Sequence, residues 1–282
     1  LKVVVIGGDA GLQKTLALQL QRQHTIAWIA PENIAAIIDV PAEADDEQGC
    51  LVIDIASHSI IRQTQPELFP QSYFERLIQH CAAHSWRYLL LSDCRVFAGG
   101  KQRHRETDKV EPNSVEGVAF VQREEFLRAN HSLHMILRAG PLLASSGENV
   151  LTRLVALLRA GGAVPAASEP RFCPVAVDDL ARVISAMSDQ LDCDAHCWGT
   201  YHYNSSDATS PYEFAEAVLA AASQYWPLID HVKIEAAVLS PWSGAYPQLN
   251  CHLIRDTFGI QQLTWRKAIP ELLKQMHAGE TS

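Results

Sequence analysis

"VVVIGGDAGLQKTLALQL", Val3 to Leu20, decides how this chain folds. Three valines and Ile6 form a continuous β-branched run, the pattern of a strand covered on both faces. Gly7 and Gly8 follow, and then Leu12, Leu16, Leu18 and Leu20 roughly mark the apolar face of a helix. A buried strand, a glycine turn and a helix make the opening unit of a nucleotide-binding α/β sheet. In such a turn one glycine bends the chain, one lets backbone meet a pyrophosphate, and one lets helix and strand pack closely. Gly8 and Gly11 give the first two, with Lys14 in the third place. Counted from Gly7 instead, the later places hold Ala10 and Gln13. The helix N-terminus beyond the turn offers N–H groups and a positive dipole end to a phosphate. Glu32 lies 21 residues after Gly11, where an acidic residue would hold a ribose hydroxyl.

Working outward, strand and helix patterns alternate. "TIAWIA" (25–30), "CLVIDIA" (50–56), "RYLLLSD" (87–93) and "HMILRAG" (134–140) read as further strands. "NIAAIIDV" (33–40), "SYFERLIQHCAAH" (72–84) and "GVAFVQREEFLRA" (117–129) read as helices between them. In the second half, 150–163 is an amphipathic helix stopped by Gly161 and Gly162. Asp178 or Asp179 is expected to cap a helix over 174–187, and Ser210, Pro211 and Glu213 open another. "TYHYNSS" (200–206) is a short strand, 236–250 a loop, and the last helix is interrupted near Pro270. The expected class is α/β: a Rossmann-like doubly wound parallel sheet with a smaller α/β substrate-binding lobe. The expected division is 1–140 for the dinucleotide-binding part and 141–282 for the lobe, with about 174–210 returning to the sheet. In such sheets ligands sit beyond the carboxyl ends of the strands. Gly7, Gly8, Gly11, Leu12, Glu32, Ala56 and Ser57 are therefore the candidates to hold an NAD(P) cofactor.

A formal charge of −9 gives no electrostatic footprint for nucleic acid or an anionic membrane. No apolar run reaches the ~18 residues of a membrane span. No signal-peptide pattern opens the chain, so a cytoplasmic location is expected. Seven dispersed cysteines read as reduced thiols. "CDAHC" (193–197) lacks a second ligand pair, and no metal site is expected. The one basic cluster, "KQRHR" (101–105), reads as a solvated loop or as a guide for a phosphate-bearing ligand.

"LLLSDCRVFAGG" (89–100) and "RETDKVEPNSVEGVAFVQREEF" (105–126) narrow the reading. With "DIASHS", "PVAVDDLARVI" and "AYPQLNCHLIRDTFGI" in the same order, the chain resembles the extended short-chain dehydrogenase/reductase superfamily, and within it the dTDP-4-dehydrorhamnose reductase family. The family shows Ser-Thr-Asp-Tyr-Val-Phe after the fourth strand, then Glu-x-Asp, then Pro-x-Asn-x-Tyr-Gly-x-x-Lys. Aligned on Ser92, Val96, Phe97, Pro112 and Gly117, the resemblance puts Asp93 at the catalytic Thr, Glu116 at the catalytic Tyr and Phe120 at the catalytic Lys. Ser92, Arg95 and Arg105 become candidate substrate contacts.

Reducing a ketone by hydride requires a proton donor at the oxygen. Phe120 has no donor, and an ordinary glutamate is ionised at neutral pH. The leading expectation is a protein that has lost reductase chemistry and binds a nucleotide, a sugar nucleotide or a protein partner. The alternative is an active NAD(P)H-dependent oxidoreductase on a nucleotide sugar, in which Asp93 and Glu116 share one proton and replace the usual Thr and Tyr. A third possibility is an oligomerising partner with an empty cleft.

Overall fold

The computed structural model describes residues 1–8, 10–34, 38, 49–62, 66–99, 103–193, 197–227 and 231–280. Strands β1 (Lys2–Ile6), β2 (Thr25–Ile29), β3 (Cys50–Asp54), β4 (Arg87–Asp93) and β5 (His134–Ala139) form one parallel sheet with β9 (Gly199–Tyr203). Its order is β2-β1-β3-β4-β5-β9, so the chain builds outward from β1 in both directions. The reversal point, where loops part and leave a crevice, lies beyond the ends of β1 and β3. Val4 of β1 pairs with Ala27 and Val52, fixing that edge in register.

The β-branched run is buried on both faces, as its composition requires. Val3 and Val5 enter one core layer; Val4 and Ile6 enter the layer on the other side. Helix α1 (Ala10–Leu20) buries Leu12, Leu16 and Leu20 against the first layer. Leu18 does not join them and is exposed, because a residue two places from Leu16 and Leu20 lies across the helix. Helix α2 (Ala56–Arg62) follows β3. Helix α3 (Gln71–Ala83) buries Phe74, Leu77, Ile78 and Cys81, the four residues its periodicity singles out. Helix α4 (Val115–Asn130) lies between β4 and β5 in the chain.

Beyond β5 come the short strand β6 (Leu142–Leu143), helix α5 (Val150–Ala160), β7 (Ala163–Ala167) and β8 (Val175–Ala176). Helix α6 (Val177–Asp192) leads to β9, which pairs with β5. Neither Asp178 nor Asp179 caps α6; its N-cap is Ala176, without a side-chain bond. The two carboxylates have other partners. Asp178 accepts from Thr15 of α1 at 2.9 Å, and Asp179 from Tyr203 at 2.6 Å. Helix α7 (Pro211–Ala222) opens with the expected capping box between Ser210 and Glu213. Strand β10 (Lys233–Ala237) pairs with β7 and takes the first residues of the stretch read as loop. Helix α8 (His252–Phe258) follows, and α9 (Ile269–Glu280) begins beside Pro270 instead of being broken by it. Residues 35–37, 39 and 40 of the helix read over 33–40 lie outside the described residues, as do Lys101, Gln102 and 194–196. No helix among the described residues is long and apolar enough to cross a membrane.

A buried ionic network joins α4 to the middle of the sheet. Glu124 is fully buried and accepts from Arg138 of β5 (2.6 and 2.9 Å), Arg128 (2.7 Å) and Ser92 of β4 (2.6 Å). Burial pushes the Glu124 carboxyl up, but Arg138 and its other donors outweigh that, and the net shift is down. Arg138 Nη1 also meets His202 Nε2 of β9 at 3.3 Å, leaving His202 Nδ1 to donate to the His104 carbonyl. Burial and the Arg138 charge push the His202 pKa down from 6.5 to about 3. Below pH 6.5 the unfolded chain therefore binds a proton there that the folded chain refuses, and stability falls as pH falls. His202→Gln is expected to make the loss of stability between pH 6.5 and 5 shallower, by up to about 1.4 kcal/mol per pH unit. Urea unfolding across that range checks it.

Candidate functional site

The turn after β1 runs on the Gly7 frame. Gly7 and Gly8 have φ of 69° and 102°, a region that side-chain-bearing residues avoid. A Cβ on Gly7 would stand 2.4 Å from that of Ala56, so the ends of β1 and β3 touch only because Gly7 has none. Gln13, in the third glycine's place, donates from Nε2 to the Gly7 carbonyl at 3.0 Å. Gly11 sits in the first turn of α1, where its carbonyl accepts from Thr15 at 3.0 Å. Leu12 is buried in the core, and Glu32 is exposed after β2. Gly7, Gly8 and the N-terminus of α1 thus sit together at the reversal point.

Ala56 and Ser57 are fully buried under that crevice. The Ser57 N–H donates to Asp54 at 2.8 Å; its hydroxyl donates to Asp54 and accepts from Arg123. Tyr88 also donates to Asp54, at 2.9 Å. Burial pushes the Asp54 carboxyl up against the pull of Arg123 and these donors, and the net direction is up. Ser57 therefore holds the end of β3 in place.

At the end of β4 the chain turns through Cys94–Val96, and Asp93 caps that turn by accepting from the Arg95 N–H at 2.9 Å. Asp93 is fully buried, so its charge must be compensated. The Arg95 guanidinium does this with two bonds, Nε to Oδ1 at 3.0 Å and Nη2 to Oδ2 at 3.3 Å. Burial alone would lower the Arg95 pKa; Asp93 reverses that and raises it. The third arm, Nη1, stands 3.5 Å from Glu116. Glu116 reaches it because Ser114 caps α4 through the Gly117 N–H and because Gly117 lies against the Arg95 carbonyl, where a Cβ would clash at 2.3 Å. One turn on, Phe120 is fully buried with its ring 5.9 Å from that of His58. His58 Nε2 is 3.4 Å from Asp93 Oδ2.

Three of these groups, His58, Arg95 and Glu116, border a cleft of about 190 Å³ between the sheet and the second half of the chain. They line it together with Glu148, Arg153 and Tyr246. Asp93, Arg95 and Glu116 are thus brought together. Ser92 is not among them: it is fully buried and bonded to Glu124. Arg105 is exposed, and its backbone N–H donates to Asp108 at 2.8 Å. His58 follows β3 closely in the chain. Glu148, Arg153 and Tyr246 carried no local signal, because only the packing of the second half of the chain brings them to the cleft.

A family model described as the RmlD substrate binding domain matches residues 1–278. The chain belongs to this family. Among curated relatives, the RmlD-family chain is similar to the spore coat polysaccharide biosynthesis protein SpsK of Bacillus subtilis, at 26% identity over 97% of each chain. Among solved structures, a dTDP-4-dehydrorhamnose reductase from Clostridium acetobutylicum superposes with a TM-score of 0.78 at 19% identity, covering 98% of this chain and 99% of that one. A second such reductase, from Bacillus anthracis in complex with NADP, gives 0.74 at 17%, covering 97% and 98%. These likenesses bear out the fold of the RmlD-family chain and the family resemblance read from its motifs.

Phe120→Lys is expected to destabilise the isolated chain by about 3 kcal/mol or more. It removes packed aromatic surface and takes an ammonium out of water. Urea unfolding of the variant measures the cost.

Proposed function

We propose that this RmlD-family protein binds a sugar nucleotide in the cleft and does not reduce it. The observation that carries the reading is the Arg95 guanidinium between Asp93 and Glu116, with Phe120 filled in behind. Hydride transfer to a ketone leaves negative charge on oxygen, which a donor must neutralise as it forms. A shared proton between Asp93 and Glu116 would need two carboxylates facing each other without a cation. Arg95 is that cation, and it makes sharing unnecessary. A guanidinium holds its proton far too tightly to deliver it. Losing one such donor costs about 10²–10³ in rate.

The sugar-nucleotide part rests on the family and on the activity in the names of its reductase neighbours. For NAD(P), the residues fit in part. Gly7, Gly8 and the α1 N-terminus suit a pyrophosphate, and the Bacillus anthracis neighbour was solved with NADP. At the nicotinamide-ribose end, Phe120 supplies no ammonium to hold a ribose hydroxyl.

Two measurements test the reading. Calorimetric titration with a dTDP-hexose is expected to show binding. With a dTDP-4-keto sugar and NADH or NADPH, nicotinamide absorbance is expected to stay at the rate of a protein-free control. Steady turnover that disappears in Glu116→Gln would overturn the proposal in favour of a reductase using the carboxylate as its acid.

A further inference from the structure

The Arg95–Glu116 pair makes a prediction about the oxidation state of the sugar, and this rests on the sugar-nucleotide reading above. A phenol at this position donates a hydrogen bond to a ketone. A carboxylate can only accept one. Putting Glu116 there reverses the hydrogen-bond polarity of the place where the reacting carbon's oxygen would lie.

The geometry leaves Glu116 available to a ligand. Its carboxylate lines the cleft and is 28% exposed. At 3.5 Å, Arg95 Nη1 is close enough to hold the charge yet at the outer limit of a hydrogen bond. Arg95 Nε and Nη2 are both occupied by Asp93. At this end of the cleft the Nη1 amino group of Arg95 stands beside the Glu116 carboxylate, and the Tyr246 phenol also lines the cleft. A hydroxyl satisfies the guanidinium and the carboxylate at once: its oxygen accepts from Nη1, and its hydrogen goes to Glu116. A ketone oxygen can only accept, so it turns the negative end of its dipole toward the carboxylate and gives Glu116 no hydrogen. The cleft lining holds a second pair, Arg153 Nη1 and Glu148, 3.6 Å apart. Arg95 serves both Asp93 and Glu116, so that cluster has more carboxylates than cations, which suits a hydroxyl-bearing sugar better than an anionic one.

We infer that the cleft selects the alcohol form of its sugar nucleotide over the 4-keto form, with Glu116 as the residue that reads the hydroxyl. The keto substrate named for the reductase neighbours would then be the poorer ligand.

The test compares two ligands that differ at one carbon: dTDP-6-deoxyglucose, with a 4-hydroxyl, and dTDP-4-keto-6-deoxyglucose. Both are titrated into the full chain by calorimetry without nicotinamide. The hydroxyl form is expected to bind about 10- to 100-fold tighter, the range of one hydrogen bond to a charged group. Glu116→Gln, which keeps the shape and adds a donor, is expected to narrow that ratio to a fewfold. Glu116→Tyr is expected to bring it to one or below. Far-ultraviolet circular dichroism confirms that each variant is folded. Equal binding of the two sugars, or tighter binding of the ketone, by the unmodified protein would overturn the inference and leave the sugar-nucleotide reading standing. An unchanged ratio in Glu116→Gln would overturn the assignment to Glu116. Binding of neither sugar would overturn both that reading and the inference.

Discussion

The site is organised by one electrostatic requirement: a carboxylate with no solvent contact must have a cation. Asp93 ends the central strand β4 fully buried, and Arg95, two residues on, supplies the charge. The surroundings then fit together. Two arms of the guanidinium are fixed on Asp93, so the third is aimed at the start of α4, where Glu116 meets it. Behind them Phe120 and His58 fill the space with packed rings. Asp93, Arg95, Glu116 and Phe120 are therefore mutually compatible. Asp93 would be unstable without Arg95.

Helix α4 is the part that makes this arrangement precise in space. It contributes Arg123 and Glu124 to two separate buried networks, one to Asp54 of β3 through Ser57 and one to Arg138 of β5. Removing one partner of a buried pair is far more costly than losing a surface contact. Together with the contact of Gly117 on the Arg95 carbonyl, these networks fix how α4 is rotated and how far along the sheet it lies. Glu116 and Phe120 ride on that placement. Fold stability and cleft chemistry thus share a single helix.

Much of the fold was legible because burial leaves a periodic trace. The Val3–Ile6 run gave a doubly covered strand, and Phe74, Leu77, Ile78 and Cys81 gave the inner face of α3. Features that depend on a partner distant in sequence were not legible. Leu18 looks apolar in the sequence, yet it faces outward. Asp178 and Asp179 have the local pattern of helix caps, but Thr15 and Tyr203 claim them. The glycine frame could be counted from Gly7 or Gly8, and only the approach of Ala56 settles it on Gly7. In the cleft, Asp93 and Glu116 were visible through motif alignment, and the geometry adds that Arg95 joins them. Ser92 was misplaced because nothing near it in sequence announces Glu124 as its partner. Arg153 and Tyr246 reach the cleft from sequence positions 93 residues apart.

The account stands on Arg95 being held by Asp93, and a double-mutant cycle measures that directly. Unfolding free energies of the parent, Arg95→Met, Asp93→Asn and the double variant would be taken from urea titrations at neutral pH. Arg95→Met alone should cost about 3 kcal/mol or more, because it leaves a buried carboxylate uncompensated, and adding Asp93→Asn should recover about 1 kcal/mol or more of that loss. Single substitutions whose effects simply add, with a coupling below about 0.5 kcal/mol, would show that the guanidinium is not held there and would contradict the account.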